Sequence, residues 1–522
     1  MFDLDAIKTC ADITRSQARA RPDAIAQVFE DRRTSFAGLD RHASQVANGL
    51  IKLGCRPHAR IGYIGMNSDR FFEVVFGSFK ANVVVVGVNW RLAPPEIVYV
   101  LNDAKAEVLF VGAEFLPLIE PIKAQLTTVK HFIAIDGPHG DWPVYESWRD
   151  SQSDADPMLD IKLEDDVVQL YTSGTTGHPK GVQLTNGNYI SFFDHAQRAG
   201  WGGYEAGEVA LCAMPNFHVA GLNAGIMATG QGATSIIMKQ VDPVKVIDLI
   251  EKERINAMFL VPAVIQFLIA VPGVEKRDFS SLTRVFYGAS PISEEVLVNA
   301  QRVLQAGFTQ LYGLTETVGA GTYLPPEAHD PAKGKLRSCG LPYPGFVIEV
   351  LDENGKPVPQ GQVGEITIEA PTVMKGYWGK PDATAKAIVN NKFYTGDAGF
   401  FDEEGYLYIY DRVKDMIVSG GENVYPAEVE NALMSHPAIA DAAVIGVPDE
   451  KWGEAVKGIV VLKPGADATP DDTIAYAKTR IASYKAPKSI DFIEGLPRNP
   501  SGKILRRELR EPFWAGKERR VN

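Results

Sequence analysis

Short apolar, β-branched runs alternate with helical patterns along most of the chain. Val83–Val86, Val108–Val111, Ser235–Met238 and Arg284–Tyr287 are examples. Such alternation predicts mostly parallel sheets covered by helices. Val167–Tyr171 reads as one more buried strand. From Val347 the pattern changes. Val347–Leu351 and Gly364–Ala370, joined through Asp352-Glu353-Asn354-Gly355, predict antiparallel strands. Phe400-Phe401 and Tyr406–Tyr410 predict a second hairpin about Asp402–Gly405. The last stretch has the pattern of a compact α+β unit. A helix starts at Pro426 and runs to about Ser435, and strands are expected at Ala442–Ile445 and Gly458–Leu462. Thr469-Pro470-Asp471-Asp472 combines a cap, a proline and an acidic first turn, so it starts another helix that ends before Lys485.

The apolar stretch Ala257–Val274 is nearly long enough to cross a bilayer. Pro262, Gln266 and Pro272 interrupt it where a span needs continuity. The better reading is a strand, Ala257–Val261, followed by a helix with Pro262 at its first position.

With 522 residues the chain has room for roughly three domains. Its net charge of −12 argues against broad binding to nucleic acid or to anionic membrane. That balance leaves room for a local basic site, and Lys503, Arg506, Arg507 and Arg510 form one near the end. Cys10, Cys55, Cys212 and Cys339 are scattered, without metal-ligand spacing, and read as reduced thiols. Asp3 and Asp5 argue against a basic-then-apolar leader, and Arg520-Val521-Asn522 is neither a prenylation nor a peroxisomal signal. These features give a cytoplasmic expectation. Peripheral membrane contact and a homodimer stay open.

The densest chemistry lies in Tyr171-Thr172-Ser173-Gly174-Thr175-Thr176-Gly177-His178-Pro179-Lys180-Gly181. A strand feeds this loop, and Thr185-Asn186 beyond it offers helix-capping chemistry. Glycines let backbone N–H groups approach phosphate oxygens, while hydroxyls and the Lys180 ammonium supply donors and charge. The segment is not a Walker loop, because it lacks the second glycine and the metal-binding hydroxyl after the lysine. Alone, such a cluster is compatible with an ordinary turn.

Further segments follow in order. They are Leu311-Tyr312-Gly313-Leu314-Thr315-Glu316, Tyr394-Thr395-Gly396-Asp397, Tyr410-Asp411-Arg412-Val413-Lys414-Asp415, Gly420-Gly421-Glu422-Asn423-Val424-Tyr425-Pro426 and Pro497-Arg498-Asn499-Pro500-Ser501-Gly502-Lys503. Together with the loop they resemble the signature set of the adenylate-forming superfamily, which holds acyl-CoA synthetases, adenylation domains of peptide synthetases and beetle luciferases. The resemblance extends over most of the chain. It implies an α/β protein: a large N-terminal domain of mostly parallel sheets with helices plus a small β-barrel-like part, and a small mobile α+β C-terminal domain. The implied boundaries are 1–411 for the N-terminal adenylation domain, 412–415 for a hinge pivoting at Lys414, and 416–522 for the mobile domain.

The implied activity makes a carboxylate into an acyl-AMP with release of pyrophosphate, then transfers the acyl group to coenzyme A. ATP, Mg²⁺ and coenzyme A are the implied cofactors and partners, with a small carboxylic acid as substrate. By the same resemblance, Thr172, Ser173, Gly174, Thr175, Thr176, Gly177 and Lys180 hold the β- and γ-phosphates. Thr315 contacts the α-phosphate and Glu316 helps bind the metal. Gly288-Ala289-Ser290-Pro291, with Tyr312 and Gly313, frames adenine, Asp397 takes both ribose hydroxyls, and Arg412 contacts ribose or phosphate. Lys503 reaches in to bridge the carboxylate and the α-phosphate. His218 packs near the acyl site and moves between half-reactions, while Gly420, Gly421 and Glu422 face the pantetheine arm.

The acyl pocket is expected among His218, Val219, Tyr287, Gly288, Tyr312, Gly313, Val318 and Gly319. Tyr287 stands where the family often has a small residue, so it is expected to narrow that pocket toward a medium-chain or planar acid; a tyrosine turned into the core is the competing reading. The resemblance to fatty-acyl-CoA and aryl-CoA ligases is the nearest, carried by Met416–Glu430. Amino-acid activation is disfavoured because Asn216–Ala224 holds no acidic residue to meet an ammonium. Loading of a carrier protein, luciferase-like chemistry and a non-catalytic nucleotide sensor stay open. The sensor would be expected to have lost a motif residue, and Lys180, Glu316, Asp397, Arg412 and Lys503 are all present.

Overall fold

The computed structural model of the chain describes residues 2–172, 179–201, 203–290, 292–412, 415–419, 422–449, 452–498 and 504–515. Two large sheets dominate the N-terminal part. One has nine strands, and its six inner ones, Gly307–Tyr312, Arg284–Gly288, Ala257–Leu260, Val209–Cys212, Thr234–Ile237 and Ile25–Phe29, run parallel. The other has seven, with Asp166–Thr172, Val84–Gly87, Arg60–Ile64, Ala106–Gly112 and His131–Ile135 parallel. A third, wholly antiparallel sheet is formed by Val347–Leu351, Gly364–Glu369, Lys392–Phe401, Ile388–Val389 and Leu407–Arg412. The expected change of pattern at Val347 is the start of this sheet.

The C-terminal part pairs Ile439–Asp449 with Gly453–Leu462 and covers them with the helices Pro426–Met434 and Pro470–Lys478. Thr469 caps the second helix by accepting from the Asp472 amide at 3.2 Å. The stretch examined as a membrane span is the strand Ala257–Leu260 followed by the helix Pro262–Ile269. Among the described residues no helix is long and apolar enough to cross a membrane.

The two large sheets share an apolar core, and the helix Asp69–Lys80 is buried along its whole length within it. Phe71, Phe76 and Phe79 on this helix are among the largest fully buried side chains. Gly77 allows the neighbouring helix Phe36–Lys52 to come close, because a Cβ there would sit 2.5 Å from Val46. One carboxylate, that of Glu73, is enclosed with these rings. It accepts from Tyr145 at 2.8 Å and Arg149 at 2.7 Å through one oxygen, and meets Arg70 at 3.0 Å and His42 at 2.8 Å through the other. Burial alone would raise its pKa. The hydrogen bond from His42 and the charges of His42, Arg70 and Arg149 outweigh that and bring it to about 2.

The ends of the two sheets are joined by a pair of asparagines. Asn67, beyond the strand Arg60–Ile64, donates through Nδ2 to the carbonyls of Met214 at 3.0 Å and Met238 at 3.1 Å. Its Oδ1 accepts from the Asn216 amide at 2.9 Å, and Asn216 donates back to Met66 O at 3.2 Å.

Glu73→Gln should destabilise the protein by about 3–5 kcal/mol, because it removes the fully buried charge that Arg70 and Arg149 share. The folded pKa of Glu73 lies below its unfolded value, so its contribution is complete above the unfolded pKa and is lost as pH falls toward about 2. Urea titrations in the acid range should show a smaller pH dependence for the variant; an unchanged slope and midpoint would contradict this account.

Candidate active site

Functional groups in doubly wound sheets gather beyond the carboxyl ends of parallel strands. Thr172, Gly288, Tyr312 and the Thr315–Thr317 turn all lie there. The expectation of a strand, a loop and then a capped helix needs one correction. A further strand, Lys180–Thr185, intervenes and pairs antiparallel with Asp166–Thr172 before Thr185 caps the helix Asn186–Arg198. The two strands therefore pair as the arms of a hairpin, and their register places Lys180 directly opposite Thr172. Period-two alternation is short in Lys180–Thr185, which hid the strand from a reading by pattern.

Glu316 is the focus on this side. It is buried in the Thr315–Thr317 turn, and its Oε1 accepts from Tyr377 Oη at 2.9 Å and from Thr172 Oγ1 at 3.4 Å. The Lys180 ammonium lies 4.8 Å from the centre of the Tyr377 ring. Thr172, Lys180 and Glu316, far apart in sequence, are thus brought together. Tyr377 joins them without having been singled out; its signal was a Gly-Tyr-Trp step, Gly376–Trp378, in an otherwise polar stretch. The strand Gly376–Tyr377 pairs with Val182 and Gln183 and delivers that ring.

On the opposite side Tyr312 donates to Asp397 Oδ2 at 2.8 Å. Asp397 is buried, its amide donates to Thr395 Oγ1 at 3.0 Å, and its strand neighbour is Arg412. The backbone between these groups is tightly folded. A Cβ on Gly288 would lie 2.1 Å from Leu311 O, and one on Gly313 would lie 2.2 Å from the Gly319 carbonyl carbon. Ala289 and Val318 hold positive φ values of 67° and 57°, which non-glycine residues adopt only when their surroundings enforce it.

The acyl-pocket expectations divide. His218 caps the helix Val219–Gln231 by its backbone, and its ring lies 4.5 Å from that of Phe217. Its Nε2 is buried with no partner among the described residues. Burial first, and the Arg91 charge second, lower its pKa to about 4, so the imidazole is neutral at ordinary pH. Val219, Val318 and Gly319 meet here: a Cβ on Gly319 would sit 3.8 Å from Val219, and Asn223 donates to Val318 O at 2.9 Å.

Tyr287 does not join them. Phe286 and Gly288 turn toward one face of the nine-stranded sheet, so Tyr287 turns to the other, among Leu260, Val285, Leu297 and Phe308. It is 1% exposed, and its hydroxyl lies 3.0 Å from His329 Nε2. His329 Nδ1 donates to Pro325 O at 2.9 Å, so Nε2 is the acceptor and Tyr287 donates. The expected narrowing of an acyl pocket by Tyr287 is therefore withdrawn; strand alternation assigns the ring to the core.

Ser173, Gly174, Thr175, Thr176, Gly177, Pro291, Lys414, Gly420, Gly421 and Lys503 lie outside the described residues. Arg412 and Glu422 are described as strand backbone only.

Two wound sheets, an antiparallel third sheet and a buried carboxylate beside a hydroxyl and an ammonium at a glycine-rich hairpin define the class: adenylate-forming enzymes. Comparison with known proteins makes this specific. The family model for AMP-binding enzymes matches residues 14–378, and the model for their C-terminal domain matches residues 428–503. A fatty acid–[acyl-carrier-protein] ligase of Streptomyces coeruleorubidus is 40% identical over 519 residues, covering 99% of this chain and 98% of that one. A feruloyl-CoA synthase of Amycolatopsis sp is 37% identical over 505 residues, covering 95% and 97%. The solved structure of a Mycobacterium tuberculosis fatty acyl CoA synthetase superposes with a TM-score of 0.78 at 35% identity, over 98% of this chain and 100% of that one. The chain belongs to the AMP-binding enzyme family, in its branch of AMP-forming acid–thiol ligases.

Tyr287→Gly should cost about 3–5 kcal/mol by leaving a core cavity, as other large-to-small aromatic changes do. Tyr287→Phe should lose only the hydrogen bond to His329, and its preference among acids of different chain length should match wild type. A shift of the Tyr287→Phe preference toward longer acids would restore the ring to the acyl pocket.

Proposed function

We propose that the protein is an ATP-dependent acyl-CoA ligase acting on a medium- or long-chain fatty acid or an aryl acid. The observation that carries this reading is the convergence of Thr172, Lys180, Tyr377 and Glu316 across from the Tyr312–Asp397 pair. In the first half-reaction a carboxylate oxygen attacks the α-phosphorus, the bond to pyrophosphate breaks, and acyl-AMP forms. Both reactants are anionic, so the site must offset charge and hold them in line.

Lys180 and the hydroxyls of the hairpin would meet the β- and γ-phosphates, and Thr315 the α-phosphate. Glu316 would contribute one carboxylate toward Mg²⁺. A single buried carboxylate flanked by hydroxyl oxygens suits this hard cation, which takes most of its other ligands from water and substrate phosphate. When bound, Mg²⁺ neutralises charge on the phosphates. Asp397 would accept from the ribose hydroxyls, with Tyr312 against adenine. Lys503 would stabilise the charge that builds between carboxylate and phosphorus.

In the second half-reaction the thiol sulfur attacks the acyl carbonyl carbon, AMP leaves, and the thiol proton passes to solvent. Rotation of residues 416–522 about 412–415 would withdraw Lys503 and present Gly420, Gly421 and Glu422 to the pantetheine arm. Neutral His218, Val219, Val318 and Gly319 would line the acyl end.

The acid class follows the relatives, which are named for fatty and aryl acids. A second reading also has support, since one relative is named for transfer to an acyl carrier protein. In that case the same thiol chemistry is presented on a protein-bound pantetheine.

The test is incubation with ATP, Mg²⁺ and acids from acetate to palmitate plus benzoate, cinnamate and phenylacetate, with either coenzyme A or a pantetheinylated carrier. AMP with matching acyl-CoA is expected. AMP that appears only with the carrier would move the assignment to the second reading. Lys503→Ala should abolish adenylate formation yet still convert supplied acyl-AMP to thioester, whereas Gly421→Leu should do the reverse. Equal loss of both steps in either variant would sink the two-orientation scheme.

A further inference from the structure

Three residues meet at the triphosphate side of the site: Thr172, Lys180 and Tyr377. Thr172 and Tyr377 are each adjacent in sequence to a residue held by Asp103, and Lys180 follows Pro179, whose carbonyl is held by Tyr99, the neighbour of Asp103 on the same helix. Tyr171 donates to Asp103 Oδ2 at 2.8 Å. Tyr99 lies against Oδ1 at 3.5 Å, and the same hydroxyl donates to Pro179 O at 3.2 Å. Trp378 donates through Nε1 to the Asp103 carbonyl at 3.0 Å, and Lys380 pairs with Oδ1 at 3.1 Å. Asp103 thus holds one stem of the hairpin and the segment that carries Tyr377 to Glu316, and Tyr99, packed beside it, holds the other stem.

Its position in the fold gives a second, independent reason. Asp103 lies in the last turn of the helix Pro94–Ala104, where the helix dipole disfavours an acid. An Asp in that turn lowers the stability of its own helix, so its contacts must return more than the helix loses. Its side chain is 14% exposed, too enclosed for an incidental surface acid. Apart from Tyr99 on its own helix, the contacts it makes leave the helix for Tyr171, Trp378 and Lys380, beside the walls of the site.

We propose that Asp103 is a positioning residue for adenylate formation: it fixes the two stems of the glycine-rich hairpin and the Tyr377–Lys380 turn relative to one another. It touches neither substrate nor metal. Its effect runs through Thr172, Lys180 and the Tyr377–Glu316 contact, so it serves the step that handles the triphosphate. The inference rests on the adenylation reading above.

Its test separates the half-reactions. ATP–pyrophosphate exchange reports the first, and thioester formation from supplied acyl-AMP reports the second. Asp103→Ala should lower kcat/KM for ATP in exchange by roughly 10–100-fold, the scale of loss expected when reacting groups are misplaced by about an ångström. Thioester formation from acyl-AMP should stay near wild type, and the rise in Tm on adding ATP should shrink. Tyr171→Phe and Tyr99→Phe each remove one link and should show smaller losses of the same kind. Asp103→Ala with Tyr171→Phe should be no worse than Asp103→Ala alone, because both act through one contact.

Equal loss in both half-reactions, unchanged exchange, or independent multiplication of the two losses would overturn the proposal. If Asp103→Ala does not fold, the two hydroxyl deletions carry the same comparison. Absence of exchange in the wild type would count against adenylation itself, and the ATP-induced Tm shift would still decide on Asp103.

Discussion

The arrangement of the N-terminal part depends on the clasp between Asn67 and Asn216. Two parallel sheets can pack their helices in many relative orientations, since apolar contacts have little direction. Hydrogen bonds do have direction, and an amide side chain offers two donors and an acceptor. Asn67 uses both functions at once, gripping the Met214 and Met238 carbonyls and the Asn216 amide from the far sheet. Both asparagines are buried, so breaking the clasp would leave polar groups without water. The segment it holds leads directly into Phe217 and His218. Gly87 completes the approach, because a Cβ there would stand 3.0 Å from Phe217 Cα.

With the sheets so held, the strand ends and the turns beyond them can carry chemistry. Gly288 and Gly313 are needed where neighbouring backbone comes within about two ångströms of a would-be Cβ. Ala289 and Val318 accept a left-handed backbone in the same region, a cost that the surrounding packing must cover. These positions lie beside Tyr312 and the Glu316 turn. Ala289 and Val318 are two of twelve non-glycine residues with positive φ among the described residues, and these two lie where the site groups are held in fixed relation.

Charge is handled by enclosure. The chain is acidic overall, with a net charge of −12, yet its substrates are anions. The protein meets this by committing its interior acids to specific partners. Glu73 is wrapped by Arg70, Arg149, His42 and Tyr145, and Asp103 by tyrosines and Lys380. Glu316, near the hairpin, accepts through its Oε1 from the hydroxyls of Tyr377 and Thr172. The Lys180 ammonium lies 4.8 Å from the centre of the Tyr377 ring, whose hydroxyl donates to Glu316.

Much of the architecture was legible in the amino-acid order. Apolar runs of strand length, the switch to antiparallel patterning at Val347 and the caps at Thr185 and Thr469 are local properties, and local sterics decide them. The ordered motifs likewise revealed the adenylate-forming class, because each is a short, contiguous stretch of chemistry. Tertiary structure alone decided what depended on partners distant in sequence. The strand Lys180–Thr185 exists because Asp166–Thr172 offers it a ladder, and Tyr377 becomes a site residue because its strand docks on Lys180–Thr185. Of the two readings open for Tyr287, packing decided for the core, because alternation tells which residues share a face but not what covers that face. Asp103 gave no signal in the sequence, because its partners Tyr171, Trp378 and Lys380 reach it only in the fold.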